Sequence, residues 1–290
     1  MKREMPHLDS EPATKSAPLR QGDILRAYGR AQMSNLWIVV TADCDIAQDK
    51  FGEGLACVPL VPLSNYLMCD YAATLLEKQR KKRIRELTET INTSMIKADS
   101  NRLPMPIGEL ENWLNANSAS DIIGGLSSVY TVPLQTKNLI DCLCKIVSVL
   151  KSEDSGKFVD ALCLLNWKEG VKEGDIVRQQ LSKLDPAQLP QDAFFLTEVP
   201  GEEGMGFIAK LRQLVFLPST QLVQSVAQAR EHISAYLRVG RLIPTFKHAL
   251  SQQLGNLYSR IGLPYEYEES RLVTFELVVR QFVSDWEMKK

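Results

Sequence analysis

Two apolar stretches in the first quarter of the chain decide the fold class. Residues 36–41 read LWIVVT and residues 55–61 read LACVPLV. The first is rich in β-branched and aromatic residues and is too continuously apolar for a strand with one solvent-facing side. Both stretches therefore predict buried strands. Pro59 cannot donate a ladder hydrogen bond, which predicts that the second strand lies at a sheet edge or contains a bulge.

Strand-forming sequence also occurs before and well after these stretches. Residues 21–25 (QGDIL) predict a turn leading into a short strand. Residues 193–199 read AFFLTEV, and the first half of 207–217, FIAKLRQLVFL, alternates apolar with polar residues. That alternation is typical of a strand. The two groups of strands predict one small β-barrel that is interrupted by the sequence between them.

Helical periodicity dominates the intervening sequence. From Ala72 to about Ile96, one helical stripe is apolar except for one turn, which Arg80 fills. Residues 108–114 and the apolar spacing through 139–150 predict two more helices. The sequence therefore predicts a mostly helical insertion over residues 68–188, between barrel halves at 19–67 and 189–222.

The chain ends are predicted to lie outside the barrel. Residues 1–18 mix charge, Pro, Ser and Thr without a period, which predicts a flexible leader. Apolar spacing predicts helices over 222–238 and 245–261, the first ended by Gly240, and so a C-terminal helical region over 223–290. Residues 271–279 fit either a helix or a strand. The expected fold class is α+β.

Composition excludes several classes of protein. The 290 residues carry 34 basic and 35 acidic side chains, a net charge of −1, which excludes a wholly basic nucleic-acid coat protein but not a local basic patch. No apolar run reaches the ~18 residues of a membrane span, so no membrane partner is expected. Six cysteines without an N-terminal secretory signal favour a cytoplasmic location with free thiols.

The densest charge in the chain lies at residues 78–85, KQRKKRIR, where six of eight residues are basic. On a helix such residues can neutralise several phosphates or face an acidic protein. The alternative is an ordinary solvated face with Glu77–Lys81 and Lys82–Glu86 pairs. The residues predicted to bind are Lys78, Arg80, Lys81, Lys82, Arg83 and Arg85.

Two carboxylates follow the first buried strand. If Asp43 and Asp45 extend that strand, they share one face and could hold Mg²⁺ or Mn²⁺. The alternative is a turn in which they accept hydrogen bonds from backbone N–H groups. Cys142 and Cys144 have the wrong spacing for a zinc site, so no metal site or cofactor is predicted unless the chain is an enzyme that uses Mg²⁺.

The strand segments resemble a known family. Residues 21–25, 37–41 and 58–64 look like the opening strands of the PemK/MazF-type barrel, and 207–217 followed by 218–222 is similar to its late strand and terminal helix. The resemblance implies an SH3-like β-barrel, a fold used by toxin ribonucleases and by non-toxic relatives in bacterial operons.

The resemblance also implies where catalytic residues would lie. Family ribonucleases have an Arg-Pro before the second strand, whereas residues 32–36 here read QMSNL and the nearest arginine, Arg30, is out of register. The family's Thr or Ser at the end of the third strand corresponds to Ser64. Of the family's two catalytic positions, the serine matches and the arginine does not, and this disfavours ribonuclease activity.

These observations lead to three hypotheses. The first is a cytosolic bacterial interaction protein that binds a protein partner or single-stranded nucleic acid, in the setting of a phage-defence or toxin–antitoxin-like operon. The second is a ribonuclease or other phosphodiesterase that uses Ser64, Arg30 or the Asp43–Asp45 pair. The third is a structural subunit whose helices 222–238 and 245–261 pack on a second copy or a larger complex.

Overall fold

The chain folds into a curled antiparallel sheet and a group of helices, which makes it a mixed α+β protein. The structure is a computed structural model. It describes residues 9–13, 17–29, 35–152, 154, 156–181, 184, 189–203, 206–259, 273–274 and 277–278. Over these ranges no helix is both long enough and apolar enough to cross a membrane.

The sheet is built from strands at both ends of the chain. Its order is β1-β9-β2-β3-β4-β6-β5, with β7 also paired to β4 and β8 to β9. Among the strand pairs that the structure describes, β8–β9 alone is parallel. The strands are β1 (Ser10–Pro12), β2 (Asp23–Gly29), β3 (Leu36–Val39), β4 (Gly54–Pro62), β5 (Ala193–Leu196), β6 (Phe207–Lys210), β7 (Val215–Pro218), β8 (Leu222–Val223) and β9 (Ser234–Leu242).

Helices fill most of the chain between β4 and β5. They are α2 (Leu63–Tyr66), a π-helical turn (Leu67–Tyr71), α3 (Ala72–Ala98), α4 (Ile107–Ala116), α5 (Ala119–Ser127), α6 (Leu134–Lys151), α7 (Lys157–Leu165) and α8 (Glu173–Leu181). Outside this segment lie α1 (Asp43–Ala47), α9 (Val226–Glu231) and α10 (Pro244–Ser259). The predicted helices at 72–96, 108–114 and 139–150 are confirmed.

The central strands are buried on both faces, as their continuous apolar sequence predicted. All four residues of β3 are buried. Ile38 packs in a core that α10 covers through Leu250 and Leu257, whereas Trp37 and Val39 belong to the core on the opposite face. Two-sided burial removes the need for a polar side, which is why 36–39 does not alternate.

The prediction of an edge position for β4 was wrong. This strand pairs with β3 on one side and with both β6 and β7 on the other. Pro59 lies opposite Trp37, and on its other side it falls between the residues paired with β7 (54–57) and those paired with β6 (60–62). A residue without an N–H disturbs the ladder least at such a break.

The helices have a core of their own. The stripe predicted on α3 is buried, with Leu76, Ile84, Leu87 and Ile91 at most 1% exposed. These side chains pack with apolar residues of α4 to α7, among them Leu110, Ile122, Leu143 and Leu162. The periodicity of α3 therefore reports burial against its neighbouring helices.

The predicted helix over 222–238 was wrong. Residues 234–242 form β9, which pairs with β2 over the whole of β2 and also with β1 and β8. A short helix, α9, does form, and the side chain of Ser225 accepts a hydrogen bond from the N–H of Gln228 at its start. Pairing with strands distant in sequence overrides the weak local helical preference of 234–238.

Three further predictions differ from the structure or lie partly outside the described residues. The leader is not wholly flexible, because β1 pairs with β9 within residues 1–18. The stretch 207–217 is broken after Lys210 by a turn that separates β6 from β7. Of residues 271–279, the described positions 273, 274, 277 and 278 are helical, and the others lie outside the described residues.

Candidate functional site

Three of the predicted basic residues form a row along the solvent side of α3. Lys78, Lys82 and Arg85 are all exposed and lie at positions i, i+4 and i+7. At 1.5 Å rise per residue the row spans about 10 Å along one helix face. We call Lys78, Lys82 and Arg85 the cationic stripe.

The cationic stripe is only weakly neutralised. Among the described residues neither Lys78 nor Arg85 has an ion-pair partner, and Lys82 Nζ lies 3.8 Å from a carboxylate oxygen of Glu86. Glu86 also accepts a hydrogen bond from Arg83 at 2.9 Å. Exposed pairs of this kind contribute little free energy, so they leave the cations available to another anion.

Both ion pairs expected of an ordinary solvated helix form as well. Lys81 Nζ lies 3.5 Å from Glu77, beside the Lys82–Glu86 pair. Lys81 and Arg83 lie beside the cationic stripe, and each already has a carboxylate close to it, Glu77 for Lys81 and Glu86 for Arg83. The ion pairs of the alternative interpretation therefore form on the same helix as the stripe, and Lys82 belongs to both sets.

Arg80 is not part of the exposed surface. It is 6% exposed, and its guanidinium contacts Glu77 at 2.8 Å and Glu111 of α4 at 2.7 Å. The hydrogen bond from Arg80 lowers the pKa of Glu77, and the same bond is the main cause of the raised pKa of Arg80. Arg80 ties α3 to α4 and is not placed to meet an external ligand.

A ring of three amide side chains joins α3 to α7 and α8. Gln79 Nε2 donates to Gln180 Oε1 at 2.9 Å, Gln180 Nε2 donates to Asn166 Oδ1 at 3.3 Å, and Asn166 Nδ2 donates to Gln79 Oε1 at 2.7 Å. The residue after Asn166 is Trp167, whose side chain is 64% exposed. Sequence reasoning missed this cluster, because its members lie up to 101 positions apart.

The two aspartates do not extend β3. They lie on α1, where residues i and i+2 point about 200° apart, so the shared face expected for a strand is wrong. Asp43 Oδ1 accepts a hydrogen bond from the Gln21 N–H at 2.8 Å, and Oδ2 lies 2.7 Å from Lys247 Nζ of α10. The bond from the backbone fits the alternative interpretation, whereas Lys247 was not foreseen.

The electrostatics of Asp43 follow from these contacts. Burial opposes ionisation, but the hydrogen bonds from Lys247 and from the Gln21 N–H, with the charges of Lys247 and Arg20, outweigh it and lower the pKa of Asp43. Asp43 is thus an ionised partner of Lys247. In the described part of the chain no group of three His, Cys, Asp or Glu side chains is arranged to hold a metal ion.

The structure does not bring the predicted catalytic residues together. Asp43 follows β3 at the end where Val39 faces Cys57, whereas Ser64 is exposed just beyond Pro62, at the other end of β4. The six residues from Cys57 to Pro62 alone span about 17 Å. Arg30 lies outside the described residues.

A buried carboxylate organises the strands near the N-terminus. Asp23 is fully buried and accepts hydrogen bonds from Arg241 at 2.5 Å and from Arg238 at 3.2 Å. Both arginines also donate to backbone carbonyls of residues 17–18. The bond with Asp23 is the main cause of the raised pKa of Arg241.

A β-bulge allows both arginines to reach Asp23. Residues three apart in a regular strand point to opposite faces. The β2–β9 register shifts between Ile24, opposite Gly240, and Leu25, opposite Arg238, so Val239 is an extra residue on β9. One extra residue restores the common face for Arg238 and Arg241. These arginines are therefore committed to the sheet.

Comparison with known proteins gives no relative. No family model matches the chain, and neither the curated proteins nor the solved structures include a match. The resemblance to the PemK/MazF barrel and the catalytic roles it implies for Ser64 and Arg30 remain predictions.

Proposed function

We propose that the protein binds a nucleic-acid strand through the cationic stripe of α3. The observation that carries the proposal is the row of Lys78, Lys82 and Arg85 on one exposed helix face, with one distant carboxylate contact among the three. Neutralisation of phosphates by such side chains releases condensed counterions, which gives affinity without sequence specificity.

Two cations of the sheet differ from the stripe in being held by acids. In the sheet, Lys210 lies 2.7 Å from Asp70, and Arg26 lies 2.7 Å from Glu202. Each has a side chain at most 29% exposed. A phosphate would have to displace a carboxylate at these positions, whereas at Lys78 and Arg85 it meets a free cation.

The exposed face of α3 itself favours nucleic acid over an acidic protein. Protein–protein interfaces depend on buried apolar or aromatic anchors. Among the described residues of α3 the one exposed large apolar side chain is Ile96, about three turns beyond the stripe. Phosphate contacts need only charge and hydrogen-bond donors, which is what residues 78–85 present.

The test measures binding of labelled RNA and DNA by gel shift across a salt series. Simultaneous Lys78→Glu, Lys82→Glu and Arg85→Glu should abolish binding at low salt. Replacement of the three residues by Gln should make the negative slope of log K against log salt shallower by about 2, the value for three phosphate contacts with a single strand. The matched control, Lys50→Glu with Arg102→Glu and Arg230→Glu, makes the same charge change at three other exposed positions.

The same gels distinguish binding from catalysis. Equal losses in the stripe variant and the control would contradict the stripe as the binding surface, and so would binding that does not respond to salt. Cleavage of the probe that is lost in Ser64→Ala or Asp43→Ala, with Mg²⁺ or chelator present, would make the protein a nuclease. Absence of any binding would leave an acidic protein as the partner to seek.

A further inference from the structure

Trp167 is an exposed aromatic residue held at a fixed place beside α3. Its side chain is 64% exposed, although tryptophan carries a large apolar surface. It is the second residue after α7, and its backbone N–H donates to the carbonyl of Leu164 at 3.4 Å. Its neighbour Asn166 is fixed twice, by the amide ring with Gln79 and by donation to the Leu162 carbonyl at 2.8 Å.

The amide ring places Trp167 next to the basic part of α3. Asn166 touches Gln79, and Gln79 lies between Lys78 and Arg80 in the chain. Lys82 and Arg83 follow Gln79 by three and four residues, so their Cβ atoms lie on the same side of α3 at about 5–6 Å from that of Gln79. The exposed Lys168 follows Trp167 directly. Trp167, which is exposed, is thus one residue away from a direct side-chain contact with α3.

We propose that Trp167 is a stacking platform for a base of single-stranded nucleic acid whose phosphates contact the cationic stripe. This inference rests on the proposed function and adds the class of strand that binds. Proteins that hold single strands combine a positive surface along the backbone with aromatic side chains on which bases stack. The bases of a duplex are paired and stacked on one another, so an indole at the surface adds nothing for a duplex.

The experiment compares three probes on the full chain. They are a short oligothymidylate, an abasic oligonucleotide of the same length and a duplex. Trp167→Ala should weaken binding of the oligothymidylate roughly 5- to 150-fold, the range for loss of one base–aromatic stack. It should leave the abasic strand and the duplex unchanged, and Trp167→Phe should restore most of the affinity. Phe216→Ala is the matched control, because Phe216 is a 70% exposed aromatic residue on β7.

The outcomes separate the two proposals. If Trp167→Ala binds oligothymidylate as wild type does, while the stripe variant does not, the stacking role is wrong and the cationic stripe stands. Equal weakening with the oligothymidylate and the abasic strand would also contradict stacking, because a base would not be involved. If the stripe variant binds all three probes as wild type does, the proposed function itself is wrong.

Discussion

At the scale of single residues, position on the helix decides what a basic side chain does. Lys78, Arg80 and Lys82 are neighbours in the sequence and look alike in a count of charges. On the helix Arg80 occupies the apolar stripe between Leu76 and Ile84 and is buried against two glutamates. The apolar stripe of α3 has Arg80 in its one missing turn, yet the charge pattern put Arg80 among the residues predicted to bind, and its burial speaks against that role.

The ion pair between Asp43 and Lys247 predicts a pH dependence of stability. The pKa of Asp43 is lowered in the folded protein. Its stabilising contribution is therefore complete above the ordinary aspartate pKa of about 3.9 and is lost as the pH falls through the lowered value. We expect Asp43→Asn to lose less free energy of unfolding than wild type between pH 7 and pH 3, as measured by urea denaturation.

The control for this prediction is Asp45→Asn. It removes the same charge from the same helix, two residues away from the contact with Lys247. A pH profile for Asp43→Asn that matches wild type, or one that matches Asp45→Asn, would show that the pair with Lys247 does not stabilise the fold.

At the scale of elements, the end of β2 requires glycine. Gly29 has φ +117°, and a Cβ at this position would lie 2.1 Å from the carbonyl oxygen of Ile233. Gly29 is also paired with Ser234, the first residue of β9. We expect Gly29→Ala to lower the free energy of unfolding by about 1–3 kcal/mol, because the strained backbone and the clash must both be relieved.

The comparison for Gly29 is a glycine in a helix. Gly108 lies in α4, and a Cβ there would meet no atom within 4 Å. Gly108→Ala is expected to stabilise by about 0.5–1 kcal/mol, because alanine loses less backbone entropy on folding. Denaturant midpoints of both variants are the measurement, and a loss from Gly108→Ala equal to that from Gly29→Ala would contradict the steric argument.

The other elements differ in how well local sequence specified them. The α3 helix was predictable because its apolar positions recur with the helical period over many turns. The β9 strand was not, because positions 233 and 237 also fit a helical stripe. What makes 234–242 a strand is pairing with β2, more than 200 residues earlier, and local periodicity carries no information about that pairing.

At the scale of the whole molecule, Asp23 links β2, near the start of the chain, to β9, the last strand of the sheet. It holds Arg238 and Arg241, which lie 215 and 218 positions later. Loss of the carboxylate leaves two buried or half-buried guanidinium groups without their acid, so we expect Asp23→Ala to cost about 3–5 kcal/mol. Chemical denaturation followed by circular dichroism measures this loss.

A surface pair gives the reference for Asp23. Asp192→Ala removes the partner of Arg212, whose side chain is 64% exposed, and should cost at most about 1 kcal/mol. Costs of similar size for the two variants would mean that water replaces Asp23 in the folded protein. In that case Asp23 does not fix the N-terminal strands to β9.

The sequence by itself determined the helical periodicity of α3, α4 and α6, the buried strands β3 and β4 and the concentration of positive charge at residues 78–85. Each of these is a local feature: the 3.6-residue repeat of the helices, the continuous apolar runs of the strands and the composition of one short segment. Only the tertiary structure decided the central place of β4 and β9, the pairing of Asp43 with Lys247 and the amide ring that places Trp167 beside α3. Those features depend on which distant segments meet, and the free energy of such contacts comes from partners that a local pattern does not contain.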